Sequence, residues 1–316
     1  MTAKIFIDGA AGTTGLEIRE RLANRRELSV VSLDGERRKD AAAREDALNS
    51  AEVAILCLPD EAAREAVALI KNNSVKVIDP STAHRTAPGW VYGFPEMERG
   101  QREKIRDSAR VSNPGCYATG FIALVHPLVK VGLLPKDWPV TCNAVSGYSG
   151  GGRGMIAEFE DNNADSFTDE VFRTYGLNLA HKHVPEMQMH SGLSHAPVFA
   201  PSVGRFYRGM IVEVPLPLWA LPAKPSVGDV HKVLADAYSG EKLVEVASLR
   251  EAAEMKTLDA EALANTNRMK IYVFGNEKHG QSRLVAVLDN LGKGAAGAAV
   301  QNLNVMMGWK ETEGLS

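Results

Sequence analysis

The chain has 316 residues, of which 45% are hydrophobic and 24% charged, and its formal net charge is −3. This length suits two domains, and the composition is that of an ordinary globular protein. The weak negative charge argues against a nucleic-acid-binding surface, and no apolar run reaches the roughly 18 residues of a membrane helix. Three cysteines, Cys57, Cys116 and Cys142, are too few for a disulfide framework. The sequence begins with a strand-like segment instead of a cationic leader, so we expect a cytoplasmic protein with free thiols.

The first third of the chain alternates short apolar runs with helix-like segments. Strands are predicted at residues 3–8, 28–33, 53–58, 75–79 and 109–113. Helices are predicted after the first strand and over residues 60–72. This alternation is typical of βαβ units, and strands that are apolar on both faces indicate a parallel sheet covered by helices on both sides. An α/β fold with a Rossmann-type NAD(P)-binding domain is therefore predicted.

From residue 116 onward the pattern changes. Residues 116–130 predict a helix, and strand-like runs follow at residues 140–148, 208–216, 242–249, 269–276 and 283–290. Because these strands are not each followed by a helix, they predict a mixed, largely antiparallel sheet in an α+β domain. A last helix is predicted over residues 295–309 and could pack on either domain.

A glycine-rich segment, GAAGTTG, joins the first predicted strand to the first predicted helix. Its G-x-x-G-x-x-G spacing departs from G-x-G-x-x-G, and an ordinary β–α turn is the alternative interpretation. In this context, glycines allow a phosphate to approach the backbone, and the helix N-terminus stabilises its charge. The predicted phosphate contacts are Gly9, Ala11, Gly12, Thr13, Thr14 and Gly15.

The end of the second strand bears on the choice between NAD and NADP. Asp34 could accept a hydrogen bond from a ribose hydroxyl, which would favour NAD. Arg37 and Arg38 follow at once, and a guanidinium there suits a 2′-phosphate. We predict NADP, with a solvated loop as the alternative role for the two arginines.

The segment SNPGCYAT places a thiol where a turn meets a helix. Cys57 and Cys142 lie in apolar strand-like runs and are interpreted as core residues. Cys116 instead lies at a predicted helix N-terminus, where the helix dipole favours a thiolate. Cys116 is therefore the candidate nucleophile.

A second chemical cluster is HKHVPE. If this piece is extended, His181 and His183 point to opposite sides and do not share a metal ion. One of them could act as an acid/base, with Glu186 orienting it. No His-x-x-x-His or Cys-x-x-Cys pair is present, so no metal site is predicted.

These groups together fit the reduction of an acyl phosphate. A thiolate attacks the acyl carbon, the thioester accepts a hydride, and an aldehyde is released. Such a substrate needs cationic groups for its phosphate and carboxylate. Arg85, expected to be exposed in a turn, and Arg208 are the candidates, with Arg205 as an alternative to Arg208. The glycine-dense SGYSGGGRG segment could be a lid or an anion-binding turn.

Eight motifs in chain order carry a resemblance to a known family: GAAGTTG, DPSTAHR, YGFPEM, SNPGCYAT, SGYSGGGRG, HKHVPE, FYRGM and DNLGKGAAGAAVQNLN. Together they are similar to the N-acetyl-gamma-glutamyl-phosphate reductase family, NADPH-dependent enzymes of arginine biosynthesis with an aspartate-semialdehyde-dehydrogenase-like architecture. The short-chain branch is the nearest match. The resemblance implies a dinucleotide-binding domain of residues 1–115 plus 290–316. It also implies a catalytic and oligomerisation domain of residues 116–289, in a homodimer or homotetramer.

The resemblance also implies residue roles. Cys116 would be the nucleophile and His183 the acid/base. The implied substrate contacts are Arg85, Asn113, His181, Glu186 and Arg208. The implied cofactor contacts besides the glycine loop are Arg37, Ser81, Asn290 and Gly294. Alternatives are a reductase for aspartyl phosphate or carrier-linked aminoadipyl phosphate, a simple alcohol or hydroxy-acid dehydrogenase, and a non-catalytic nucleotide-binding redox sensor.

Overall fold

The computed structural model describes residues 2–315, which contain thirteen strands and ten α-helices. The strands are β1 Ala3–Asp8, β2 Leu28–Val31, β3 Val53–Leu56, β4 Lys76–Asp79, β5 Val91–Tyr92, β6 Arg110–Ser112, β7 Thr141–Gly147, β8 Phe172–Thr174, β9 Val198–Gly204, β10 Met210–Pro217, β11 Val244–Val246, β12 Met269–Asn276 and β13 Gln281–Leu288. The helices are α1 Thr13–Leu22, α2 Ala41–Ser50, α3 Asp60–Leu69, α4 Gln101–Asp107, α5 Cys116–Lys130, α6 Gly152–Glu160, α7 Val184–Ser191, α8 Val227–Ala237, α9 Leu249–Glu254 and α10 Gly297–Met307. No helix within residues 2–315 is long and apolar enough to cross a membrane.

The chain divides into two compact units. The first comprises Met1–Pro95, Arg99–Gly115 and Ala295–Ser316, and the second comprises Glu96–Glu98 and Cys116–Gly294. The structure thus groups residues 290–294 with the second unit, whereas the sequence prediction assigns them to the first.

The first unit contains a six-stranded parallel sheet in the order β2-β1-β3-β4-β6-β5. Successive residues of β1 face opposite layers: Ile5 and Ile7 pack with α1 and α10, and Phe6 packs with α2 and α3. All three are essentially inaccessible, and burying such side chains contributes about 1.5–3 kcal/mol each. The strand order reverses direction between β1 and β3, the place where parallel α/β sheets bind ligands.

The C-terminal helix α10 belongs to the first unit. Its apolar face packs on the sheet, and its buried amides hold it by polar contacts. Asn302 donates to the Gly93 carbonyl at 2.8 Å and to the Asn113 side-chain oxygen at 3.0 Å. The residue pattern alone left open which domain this helix completes, whereas the family resemblance assigned it to the first; the structure groups it with the first unit.

The second unit contains a seven-stranded mixed sheet in the order β11-β12-β13-β10-β7-β9-β8. Four of its neighbouring pairs are antiparallel, and β7–β9 and β11–β12 are parallel. The predicted fold class, a parallel nucleotide-binding sheet plus a largely antiparallel mixed sheet, is confirmed.

Helix α5 lies buried in the second unit along most of its length. Pro127 within it has no N–H, so it cannot donate to the carbonyl four residues earlier. That carbonyl, on Ala123, instead accepts the Tyr238 hydroxyl at 2.8 Å. A side chain from α8's C-terminal end therefore replaces the lost helix bond and fixes α5.

Candidate active site

The glycine loop leaves β1 and enters α1 in the first unit. Gly9 has φ +82°, and a Cβ there would lie 2.2 Å from the Cys57 carbonyl oxygen, so only glycine fits. Gly12 is the N-cap of α1, and its own lack of a side chain leaves the cap without a side-chain bond. The Thr13 hydroxyl is buried and has no hydrogen-bond partner among residues 2–315. An unpartnered donor at a helix N-terminus fits a bound phosphate, and therefore a dinucleotide.

The other residues predicted to contact a phosphate lie next to Thr13, at the turn into α1. Ala11 is exposed, Thr14 is half-buried and Gly15 is buried in the first turn of α1. These positions agree with a backbone that passes close to a ligand on its outer side.

The segment after β2 carries the groups predicted to select the nucleotide. Asp34 caps a short 3₁₀ turn over residues 35–39, and Arg37 and Arg38 lie in that turn. Both arginines are exposed, and neither forms an ion pair with any residue from 2 to 315. The two guanidinium groups therefore keep their hydrogen-bonding capacity for an anion.

The DPSTAHR segment forms a turn organised by a buried carboxylate. Asp79 accepts hydrogen bonds from the Ser81 backbone at 2.9 Å and hydroxyl at 2.8 Å, and contacts His84 Nδ1 at 2.6 Å. The His84 ring stacks on Trp90 with centroids 4.1 Å apart. The Ser81 hydroxyl thus holds the turn, and its predicted contact with the cofactor stays a prediction.

Arg85 is buried, at 8% exposure, which makes the expectation of an exposed side chain wrong. Its guanidinium donates to the Asn113 carbonyl at 3.0 Å and the Pro80 carbonyl at 2.8 Å. The physical reason is that these two backbone carbonyls at the ends of parallel strands would otherwise lack a donor. Its predicted substrate contact stays a prediction.

Asn113 is fully buried and uses both ends of its amide. Its nitrogen donates to the Ala295 carbonyl at 2.9 Å, and its oxygen accepts from Asn302. The Asn113 carbonyl also accepts a hydrogen bond from Arg85. Together these bonds fix the backbone three residues before Cys116. This geometry supports a positioning role; direct substrate contact stays a prediction.

Cys116 is the first residue of α5 and is partly exposed. A Cβ on Gly294 would lie 2.7 Å from the Cβ of Cys116, so the backbone at Gly294 packs directly on the cysteine. Gly294, predicted to contact the cofactor, therefore also leaves room for the thiol.

The other two thiols are held in their neutral form. Burial raises the pKa of Cys57 to about 12, with smaller contributions from Asp79 and Asp8. Burial also raises the pKa of Cys142 well above its usual value. Because the thiolate is the reactive species, Cys116 is the thiol best placed to react near neutral pH.

An aromatic cluster follows Cys116 in the second unit. Tyr117 packs its ring on both histidines, with centroids 5.8 Å from His181 and 5.9 Å from His183. Its hydroxyl donates to the Ser202 carbonyl at 3.0 Å and accepts a hydrogen bond from the Tyr175 hydroxyl at 3.1 Å. Burial raises the pKa of Tyr175 to about 12, so the pair stays protonated.

The two histidines do not point to opposite sides; that expectation is wrong. Their rings meet edge to face with centroids 4.8 Å apart, and the His183 backbone N–H donates to His181 Nδ1 at 3.1 Å. The reason is local: His183 has helical φ and ψ and caps α7, so the segment is a turn and not a strand. Glu186 lies buried in the first turn of the same helix.

The two candidate arginines have different surroundings. Arg205 is exposed and donates to the carbonyls of Thr168 at 2.7 Å and Phe159 at 3.1 Å. Arg208 lies 3.5 Å from the buried carboxylate of Asp289, a long ion pair. The Arg205 guanidinium thus binds backbone carbonyls at the end of α6 and in the loop after it, so we predict Arg208 as the anion-binding residue.

Replacing Arg208 with glutamine should raise KM for an acyl phosphate, and for phosphate in the reverse direction, about 10–100-fold through loss of charged hydrogen bonds. Arg205→Gln should leave both KM values within about twofold and lower the unfolding midpoint, since it releases the 158–170 loop. Steady-state kinetics and thermal unfolding of both variants test this. A KM rise confined to Arg205→Gln would reverse the assignment.

The Asn290 side chain, just after β13, forms hydrogen bonds to two other segments of the second unit. Its side-chain oxygen accepts from the Gly209 backbone at 2.8 Å, and its nitrogen donates to the Ser149 hydroxyl at 2.9 Å. It therefore holds the SGYSGGGRG segment beside the start of β10. That segment is a 3₁₀ turn leading into α6. The predicted contact of Asn290 with a cofactor stays a prediction.

Sequence reasoning missed a buried ion pair and the tyrosine pair. Lys293 contacts both carboxylate oxygens of Glu96 at 2.8 Å, with both side chains almost inaccessible. Both residues lie in motifs that the sequence singled out, YGFPEM and DNLGKGAAG, but no spacing rule pairs residues 197 positions apart. Within residues 2–315, no group of three His, Cys, Asp or Glu side chains could hold a metal ion.

Both units match family models. Residues 4–107 match the semialdehyde dehydrogenase NAD binding domain, and residues 116–290 match the semialdehyde dehydrogenase dimerisation domain. Fold, thiol and nucleotide loop thus define an NAD(P)-binding oxidoreductase of the semialdehyde dehydrogenase class.

Comparison with named relatives narrows this class. The chain is 55% identical over 309 residues to the N-acetyl-gamma-glutamyl-phosphate reductase of Brucella ovis, covering 98% of this chain and 100% of that protein. It is 54% identical over 318 residues to N-acetyl-gamma-glutamyl-phosphate reductase 2 of Nostoc sp., covering 99% of each. The chain belongs to the N-acetyl-gamma-glutamyl-phosphate reductase family, which confirms the predicted resemblance.

Solved structures show the same fold at low identity. Aspartate semialdehyde dehydrogenase II from Vibrio cholerae superposes with a TM-score of 0.71 at 15% identity, over 97% of this chain and 98% of that one. The Candida albicans enzyme with NADP gives 0.65 at 14% identity, over 97% and 99%.

Proposed function

We propose that this chain catalyses the NADPH-dependent reduction of N-acetyl-gamma-glutamyl phosphate to N-acetylglutamate 5-semialdehyde and phosphate, in arginine biosynthesis. The observation that carries the proposed mechanism is the partly exposed Cys116 at the start of α5, followed directly by Tyr117, whose ring packs on those of His181 and His183. Family membership supports the choice of substrate, and this local geometry supports Cys116 as the nucleophile and His183 as the base.

The proposed reaction begins at the Cys116 sulfur. His183 removes the thiol proton, and the thiolate attacks the acyl carbon, forming a C–S bond and breaking the C–O bond to phosphate. His183 then gives a proton to the departing phosphate oxygen. Backbone N–H groups in the first turn of α5 stabilise the oxyanion.

The second half of the reaction releases the aldehyde. The glycine loop would hold NADPH, which would supply the hydride needed to reduce the thioester carbon. The oxyanion then collapses, the C–S bond breaks, and Cys116 returns as a thiolate. One proton is taken up overall.

The test is the reverse assay. Purified chain is given N-acetylglutamate 5-semialdehyde, phosphate and NADP⁺, and the reduced nicotinamide is followed by its absorbance. We expect phosphate-dependent turnover that exceeds turnover with aspartate semialdehyde by at least about 100-fold in kcat/KM, since the pocket must recognise the acetamido group. Equal or greater activity with aspartate semialdehyde, or none with either aldehyde, contradicts the proposal.

The choice of NADP rests on Arg37 and Arg38. Replacing both with glutamine should raise KM for NADP⁺ about 10–100-fold and leave KM for NAD⁺ within about twofold, because only NADP carries the 2′-phosphate. Arg19→Gln, on the exposed side of α1, is the matched control and should change neither value. Equal changes toward both nucleotides would assign the two arginines a different role.

Assembly as a homodimer or homotetramer is part of the proposal. Its support is the dimerisation-domain match of residues 116–290. The segment from Val171 to Leu179 also exposes several large apolar side chains, including Val171, Phe172 and Leu177.

A further inference from the structure

The buried ion pair between Lys293 and Glu96 has no assigned role in the reaction. Lys293 contacts the two carboxylate oxygens at 2.8 Å each, and the side chains are 1% and 0% exposed. Burying two charges costs several kcal/mol per ion, so such a pair is weak evidence for stability alone. A role in fixing geometry is the better explanation.

The lysine lies in a backbone turn that touches the nucleophile. Residues Gly292–Ala296 form a π-helical turn, a wide geometry that often occurs at functional sites. Gly294, the residue after Lys293, is the one whose backbone packs on Cys116. A movement of about 1 Å in this turn would therefore displace the thiol or expose it differently, and misplacement on that scale costs about 100-fold in rate.

The turn is held at one end by a different group. The Asp289 carboxylate accepts from the Leu291 N–H at 2.7 Å and the Gly292 N–H at 3.0 Å, and its carbonyl accepts from Gly294 at 2.9 Å. All three bonds come from backbone within five residues of Asp289. Two longer-range bonds complete the support: the Lys293 side chain binds Glu96, and the Ala295 carbonyl accepts from the Asn113 amide at 2.9 Å. Both residues adjoin Gly294, and Lys293 is the one held by its side chain.

Glu96 is itself held in place. The short segment Glu96–Glu98 belongs to the second unit, and Glu98 pairs with Lys130 at the end of α5 at 2.8 Å. The carboxylate of Glu96 therefore stands on a segment fixed to the same helix whose first residue is Cys116.

We propose that Glu96 and Lys293 form a positioning pair that presses the 292–296 turn against Cys116 and sets the orientation of its thiol. The pair acts through the backbone of Gly294. The test of this pair by kcat rests on the proposed function. The rate at which the Cys116 thiol is alkylated tests the pair independently of that function.

The experiment compares the wild type with the double variant Glu96→Met/Lys293→Met. Methionine is close in volume to both residues and removes both charges together, so we expect an unfolding midpoint near that of the wild type. We expect kcat in the reverse assay to fall at least about tenfold with KM for NADP⁺ unchanged. The rate of Cys116 alkylation by iodoacetamide should change by at least about threefold. Lys232→Met, which removes an exposed lysine paired with Asp236 on α8, is the control and should change none of these values.

A stable double variant with wild-type kcat and a wild-type alkylation rate would overturn the proposal and leave the pair a purely structural role. If the double variant does not fold, Glu96→Asp decides. It keeps both charges but shortens the anchor by one methylene, so kcat and alkylation should change while the protein stays folded; wild-type values for both overturn the proposal. An inactive wild type whose alkylation rate still responds to the double variant would refute the proposed function and keep the positioning pair.

Discussion

Replacement of Cys116 with serine should lower kcat in the reverse assay by roughly 10⁴-fold or more, the scale on which removal of a catalytic nucleophile acts. A serine hydroxyl is far less acidic than a thiol and far less nucleophilic than a thiolate. The affinity for NADPH should remain within about twofold, because the glycine loop lies in the first unit and Cys116 in the second. Steady-state kinetics and fluorescence titration with NADPH measure the two quantities.

The matched control is Cys142→Ser. Cys142 is fully buried in β7, and burial keeps its thiol protonated. Its replacement should cost stability of about 1–3 kcal/mol for a buried hydroxyl and leave kcat within about threefold. Wild type given the acyl phosphate without NADPH should gain the mass of one acyl group, and Cys116→Ser should not. Near-normal turnover by Cys116→Ser would remove the thioester from the mechanism.

The strands of the first unit were predictable because each is a short run that is apolar on both faces. The predicted strand at residues 3–8 matches β1. The predicted strand at 53–58 contains β3, and the one at 75–79 contains β4. The edge strand β5 was missed because it has two residues, too few for any periodic signal.

The second unit was harder to predict. Strand β9 runs from Val198 to Gly204 and contains Pro201, which normally argues against an interior strand. It nevertheless lies between β7 and β8, with Pro201 opposite Ala144. Strand β8 has three residues, too few for a periodic signal, and is defined by its pairing with β9 at the edge of the sheet.

The candidate site residues also fall into two groups: those in local sequence patterns, and those whose contacts depend on the folded chain. A thiol in a turn before a helix and a glycine loop after a strand are local patterns, so the sequence alone identified Cys116 and Gly9 as candidates. The burial of Arg85 depends on the carbonyls of Pro80 and Asn113, which only the folded sheet brings together. The contact between His181 and His183 depended on whether the segment is extended or turned, and a Pro two residues later favoured the turn.

Replacement of His183 with asparagine should lower kcat about 10²–10⁴-fold, the usual contribution of a general acid–base group. Asparagine keeps the size and a polar tip but cannot exchange a proton. The pH profile of kcat should lose one limb, and Cys116 alkylation should slow, because the proposed acceptor of the thiol proton is gone. His181→Asn should act mainly on KM for the aldehyde, since its ring lies beside His183 without replacing its function.

The control for this prediction is His195→Asn, an exposed histidine in the loop after α7. It should leave kcat, KM and the alkylation profile unchanged. The two roles would be exchanged if His181→Asn removed the pH-dependent limb and His183→Asn changed only KM. Equal losses in both variants with one shared pH profile would instead identify the two rings, which lie 4.8 Å apart, as a single coupled acid–base unit.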